Sequence, residues 1–419
     1  MEAFSYPVRP FACRTYPEEL RRTMDSNDEV FFRPLCAFAG AVAGETGVEG
    51  LRLDFRCGLR LEVPEGDYHV RLTDGETGVV LFEDDVSGAL LVSDEKYLIP
   101  WHVEVARGGE TVFVHDCDVT GQSVYIALLS ANLGDMLAAL PNIEEFAAVH
   151  DARVTLRVVE TYESLVRLLY PALPLAQAVP EDAYAAYYLG TGNGDPHQSP
   201  VDGRIIPLEL ISRVSLGLEG AAPPPSAAIG ARLRALPRPM EEPYVCIAVQ
   251  GSSVLKSWLW PGGWDEVVSV LRAAGYRVLC IDREREQSGC GITVRIPEGA
   301  EDFTGARPLE ERAQFLAHAA FFVGLGSGLA WLARMAGCPV VMIAGFSLPW
   351  YEFPEAERVW NPRVCHGCFQ QTQQGKSFLT AHCPRYGKDS PHFLECQRQI
   401  APRRVLAGIE RLAARIGGF

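Results

Sequence analysis

The chain has 419 residues, 48% of them hydrophobic and 22% charged, which suits two or three domains with genuine cores. Its 38 basic and 53 acidic residues leave a net charge of −15, excluding a surface built to neutralise a nucleic-acid backbone; one loop and one lysine can still hold a single nucleotide. No apolar run approaches the ~20 residues of a membrane span, and Met1-Glu2-Ala3-Phe4-Ser5 lacks the basic and long apolar regions of a signal peptide. A cytoplasmic chain without membrane insertion and with reduced thiols is therefore expected.

Residues 1–120 read as a β-rich domain, a small antiparallel sandwich or barrel. Leu51–Phe55 and Gly58–Val63 alternate with period two, and Tyr68–Leu72 follows. The Asp74-Gly75 tract leads into Val79–Phe82, as in a hairpin, and shorter strands fit Tyr97–Ile99, His102–Val105 and Thr111–Val114.

The period then changes. Ser123–Leu129 is a continuous apolar run, the mark of a strand buried on both faces, and a helix from Leu133 to about His150 and a strand at Val154–Val159 complete a β–α–β unit. Residues 121–238 thus form one Rossmann-like domain. Within it, Gly190–Asp195 superficially suggests a dinucleotide loop, but its third glycine position is Asp195 and no clear strand precedes it. The proline tracts Pro223–Pro225 and Pro237–Pro239 read as a linker.

A second Rossmann-like domain, 239–357, begins with a strand at Tyr244–Val249. A helix at Trp264–Ala274, a strand at Tyr276–Ile281, a helix at Leu309–Ala320 and strands at Phe321–Gly324 and Pro339–Ile343 follow. Two such halves place a cleft between the carboxyl ends of two sheets, the layout of nucleotide-sugar transferases of the GT-B type. Asp135 stands at the tip of the first strand of the first half, placed to serve as a general base for an acceptor hydroxyl or simply to cap its helix. Lys256 follows the first strand of the second half, where it can offset a diphosphate's charge. Asp302, in an edge loop, can bond a ribose or sugar hydroxyl, while the charge run Asp282–Glu286 reads as solvated. Gly326-Ser327-Gly328 joins a strand to a helix, so free N–H groups and the helix dipole favour phosphate there.

The remainder, 358–400, contains Cys365, Cys368, Cys383 and Cys396. Four of the chain's 12 cysteines fall here, where even spreading would place about one. C-x-x-C followed by two further cysteines can close a tetrahedral zinc or iron site, and four thiolates leave no open position for water, so the metal is structural. The intervening polar segment cannot order itself by burial, and a metal would supply that folding energy. His366, His382 and His392 read as bystanders. A helix over 401–419 ends the chain.

Together these segments resemble the bacterial autotransporter heptosyltransferases. The resemblance is carried by Leu133-Gly134-Asp135, Pro243–Gln250 with Lys256 and Trp264, and Val278–Asp282. It continues through Glu301-Asp302-Phe303-Thr304-Gly305, Gly326–Leu332, Gly345-Phe346, Glu352-Phe353, Arg358-Val359, Asn361, the four-cysteine tail and Val63–Leu72. It implies an inverting transfer of heptose from ADP-heptose to serine or threonine hydroxyls of an autotransporter passenger domain. Asp135 would be the base and Lys256 the donor-phosphate ligand, with Gly134, Asp302, Thr304, Gly305, Gly326, Ser327 and Gly328 in the donor site. Iron would sit on Cys365, Cys368, Cys383 and Cys396, no metal at the transfer site, and the chains would assemble into a large homo-oligomeric ring. The sequence departs from the family pattern at Ser199 and at Ala131-Asn132. Two competing readings are a heptosyltransferase for a lipopolysaccharide-core or other glycan acceptor, and a metal-stabilised scaffold with an inactive α/β core.

Overall fold

The computed structural model describes residues 41–128, 130–190, 199–370, 383 and 385–417, together with the backbone of 13–17. The N-terminal part holds β1 (Cys13–Pro17), β2 (Arg52–Asp54), β3 (Arg60–Val63), β4 (Tyr68–Asp74), β5 (Val80–Val86), β6 (Ala89–Ser93), β7 (Trp101–Arg107) and β8 (Glu110–Asp116). They form two four-stranded antiparallel sheets, ordered β1-β6-β3-β2 and β5-β4-β7-β8. Alternation decides which face is buried: Tyr68, Val70 and Leu72 point into the core while His69 and Arg71 face solvent. β6, which the alternation rule misses, is buried at all five positions, and Tyr97–Ile99 is not a strand.

The first α/β half contains β9 (Ser123–Leu128), α1 (Leu133–Val149), β10 (Arg153–Arg157), α2 (Glu160–Leu169), β11 (Ala185–Leu189), α3 (Leu208–Ser215) and α4 (Ala227–Arg234). Its sheet is three-stranded and parallel, β10-β9-β11. β11 corrects one expectation: a buried strand does precede Gly190, its Ala-Ala-Tyr-Tyr-Leu sequence too short to show a period. The loop beyond it, 191–198, lies outside the described residues. The proline-rich linker also encloses a helix, α4, capped by Ser226 between its two proline tracts.

The second half runs β12 (Tyr244–Ile247), a 3-10 turn at Val254–Lys256, α5 (Gly263–Ala273), β13 (Arg277–Cys280), the hairpin β14 (Glu286–Gly289) and β15 (Ile292–Arg295), β16 (Glu301–Asp302), α6 (Leu309–His318), β17 (Phe322–Leu325), α7 (Gly328–Met335), β18 (Val340–Ile343) and β19 (Glu357–Val359). Its six-stranded parallel sheet is ordered β16-β13-β12-β17-β18-β19. The tail adds α8 (Glu395–Arg398) and α9 (Pro402–Ile416). β12, β17 and β18 are buried at every position, as expected of a sheet covered on both faces. Val245 and Ile247 join α5 and α9 in an outer core, whereas Cys246 and Ala248 join a core that continues through α1, the first sheet and the N-terminal β-sheets. That shared core holds the two halves and the β-rich region together. Among the described residues, no helix is long and apolar enough to cross a membrane.

Candidate active site between two helix starts

The site is built where α1 and α7 begin. A Cβ on Gly328 would lie 2.8 Å from Leu133 Cβ, and one on Gly134 would lie 3.1 Å from Trp331 Cδ1. Only glycine lets the two helix starts approach this closely, and their N-terminal N–H groups make the junction favourable for negative charge.

Asp135 sits half-buried in the first turn of α1. Its carboxylate does not cap the helix. Instead Oδ2 accepts hydrogen bonds from Ser130 Oγ (2.6 Å) and Asn132 Nδ2 (3.0 Å). Tyr162 fixes the same loop by donating to the Ala131 carbonyl at 2.7 Å.

Lys256 closes the 3-10 turn after β12 and is half-buried, its Nζ 5.1 Å from the centre of the Phe346 ring. Burial pushes the ammonium's pKa down, while the carboxylates of Asp135 and Glu352 hold it up. The two residues singled out on opposite halves therefore share one electrostatic environment. Buried Tyr351 belongs to it as well: burial, with Asp135 and Glu352, drives its phenol pKa far above the ordinary value, so it stays neutral.

Glu352 carries no local sequence signal for this role. It is buried, accepts from Ser347 Oγ at 2.7 Å and pairs with Arg358. Its Oε1 would lie 2.6 Å from a Cβ on Gly326, so glycine is required there by an adjacent carboxylate. Ser327 occupies the N-cap position of α7, yet its hydroxyl caps nothing; Oγ is buried without a partner among the described residues.

The other donor-side candidates lie along the same sheet edge. Asp302 ends β16, with Oδ1 accepting from Thr304 N (3.0 Å) and Oγ1 (2.6 Å) and Oδ2 paired with Arg285 Nε at 3.1 Å. Gly305 follows with φ +106°. Because β16 and β17 are separated by β13 and β12, their ends lie roughly 14 Å apart at ordinary strand spacing. Asp302, Thr304 and Gly305 thus stand three strand spacings along the sheet's carboxyl edge from Gly326–Gly328. Asp282 corrects the sequence reading. It is buried, accepting from Val249 N (2.7 Å) and Gln250 N (3.3 Å), and burial lifts its carboxyl pKa to about 7; only the following charges are exposed.

The four tail cysteines line one pocket with His366 and His392. Burial, with the neighbouring cysteines, raises the pKa of Cys396 and of Cys368, whose thiol is pushed up to about 12. Yet among the described residues no group of three or more His, Cys, Asp or Glu side chains is gathered tightly enough to hold an ion, so the closed four-thiolate centre is not shown. His366 Nδ1 is engaged with the Val364 carbonyl (2.7 Å) and His392 Nδ1 with Glu395 (3.2 Å); His382 lies outside the described residues.

Two family descriptions match the chain: the N-terminal domain of the glycosyltransferase TibC over residues 47–109, and glycosyltransferase family 9 (heptosyltransferase) over 208–379. The autotransporter heptosyltransferase BAHTCr of Citrobacter rodentium is 39% identical over 380 residues, 88% of this chain and 90% of that protein. The chain belongs to the autotransporter heptosyltransferase family. TibC of Escherichia coli is 37% identical over 88% of this chain and 91% of its own length. Its crystal structure, a dodecameric iron-containing heptosyltransferase in complex with ADP-D-beta-D-heptose, superposes with a TM-score of 0.83 at 34% identity, covering 90% of this chain and 99% of that one. The protein is accordingly a GT-B-like glycosyltransferase of the heptosyltransferase type. BimC of Burkholderia thailandensis, an inactive autotransporter heptosyltransferase, is 32% identical over 86% of this chain and 85% of its own.

Proposed function

We propose that this chain is an inverting protein O-heptosyltransferase, moving heptose from ADP-heptose to a serine or threonine hydroxyl on an autotransporter passenger domain. The observation carrying this reading is the shared environment of Asp135 and Lys256, far apart in sequence, beside two abutting helix starts. The family names and the ADP-heptose complex of TibC support it.

In the reaction, the acceptor oxygen attacks the anomeric carbon, the bond from that carbon to the donor's phosphate oxygen breaks, and ADP leaves with the electron pair. Asp135 takes the hydroxyl proton. Ser130 and Asn132 hold Oδ2, which leaves Oδ1 to accept that proton. Lys256 and the N–H groups at Gly326–Gly328 offset the charge on the departing diphosphate. Asp302, Thr304 and Gly305, with Gly134 at the junction, complete the donor site.

Cys365, Cys368, Cys383 and Cys396 fit a metal: four thiols line one pocket, burial raises the pKa of Cys368 and Cys396, and a cation that replaced the thiol protons would make the set favourable. They would hold iron, which supplies folding energy to the tail. A homo-oligomer, as the dodecameric TibC suggests, and a cytoplasmic location complete the reading; the described cysteines are all free thiols, which suits a reducing compartment.

The test is Asp135→Asn, assayed by intact mass on a co-expressed passenger domain. Roughly 10²–10⁴-fold of the transfer rate should disappear while ADP binding is retained. Transfer at the wild-type rate would overturn the assignment of the base, and a heptose increment confined to glycan would overturn the protein acceptor.

A further inference from the structure

The cysteine tail grips the Lys256 loop from two sides. On one side Gln397, wholly buried and next to Cys396, donates from Nε2 to the carbonyls of Leu255 (3.3 Å) and Lys256 (3.0 Å), and its backbone carbonyl accepts from Leu259 N at 3.1 Å. On the other, Gly367 N donates to the Gly345 carbonyl (3.2 Å) and Phe369 N to the Phe346 carbonyl (3.1 Å), fixing the ring over which the Lys256 ammonium lies. The fit is tight: a Cβ on Gly345 would stand 2.2 Å from the Cys396 carbonyl oxygen.

The amide of Gln397 is informative because of what it leaves unmade. Its Oε1 is buried with no partner among the described residues. A side chain kept only for packing would be better apolar, since an orphaned buried acceptor costs free energy. What the amide contributes here is its pair of N–H donors, aimed at the backbone that carries Lys256.

We propose that Gln397 is a positioning residue for Lys256, through which the four-cysteine tail sets the lysine's place in the donor site. The proposal rests on the reading of Lys256 as the ligand of the donor's phosphates.

The experiment compares Gln397→Met with Trp258→Phe, which cuts a different bond between the same segments, Trp258 Nε1 to the Ile400 carbonyl at 2.7 Å. For Gln397→Met, KM for ADP-heptose should rise and ADP affinity fall by about tenfold, the effect of losing hydrogen bonds of this kind. kcat should fall as well, because the same lysine offsets the charge on the departing diphosphate, while bound metal and oligomeric state stay at wild-type values. Trp258→Phe should lower thermal stability and leave KM unchanged. In a Lys256→Ala background, Gln397→Met should weaken ADP no further, because the two act as one unit. Unchanged KM and ADP affinity at wild-type metal content would overturn the proposal, as would independent, additive effects of the two substitutions. If Gln397→Met does not fold, Gln397→Asn, which withdraws the amide by one methylene, is read in the same way. ADP affinity unaffected by Lys256→Ala alone would instead sink the donor-phosphate role itself, and the two failures are distinguishable.

Discussion

Lys256 shows how far one residue's behaviour is set by its surroundings. Burial depresses the pKa of its ammonium; in the proposed donor site a bound diphosphate would restore it, so donor binding would take up a proton once the pH passes the depressed value. ADP affinity should therefore fall as pH rises through that pKa; calorimetry over an alkaline series checks this. Lys256→Arg, whose guanidinium stays charged, should show a flat profile over the same range. A sloping profile in that variant would assign the titration elsewhere. At this scale the sequence was partly legible. Asp135 and Lys256 could be named because each follows a strand, where α/β ligands bind. Phe346 and Glu352 stood out only within the family resemblance, with no role attached, and Tyr162 and Tyr351 not at all, since each sits among ordinary loop or helix residues and meets the site only through distant neighbours.

Between elements, the decisive contact is the junction of α1 and α7. Gly328→Ala places a methyl 2.8 Å from Leu133 Cβ, and neither backbone can yield without moving its helix. Overpacking of this sort costs about 1–3 kcal/mol, so the substitution should lower the thermal midpoint by several degrees and slow transfer. Thermal unfolding and a transfer assay check both; unchanged stability would show that the junction relaxes freely. Helices and buried strands of this region were readable from periodicity, whereas the short strands β6 and β11 and the hairpin β14–β15 were not. Too few residues show a period there, and Asp282 looks like the start of a solvated run although backbone N–H groups hold it inside.

For the whole molecule, the tail decides how the second half is finished. Cys396 and Gln397 pack onto Gly345 and the Lys256 loop, and α9 closes the outer core against α5 and β18. On the proposed iron site, each of Cys365→Ser, Cys368→Ser, Cys383→Ser and Cys396→Ser should lose bound iron and lower thermal stability, because a structural metal contributes folding energy directly. Metal analysis of the purified variants checks this, and iron retained in all four would rule the cysteines out as ligands.

Composition, periodicity and spacing were enough to determine the broad architecture: a β-rich start, two α/β halves and a cysteine-bearing tail. These are local properties, written in side-chain alternation, turn residues and the distance between cysteines. Tertiary structure alone decided that Asp135 and Lys256 share one field, that a buried glutamate stands behind Gly326, and that the tail reaches the lysine loop. Contacts between segments more than a hundred residues apart depend on how the sheets stack and which helix starts meet, and no local pattern encodes that.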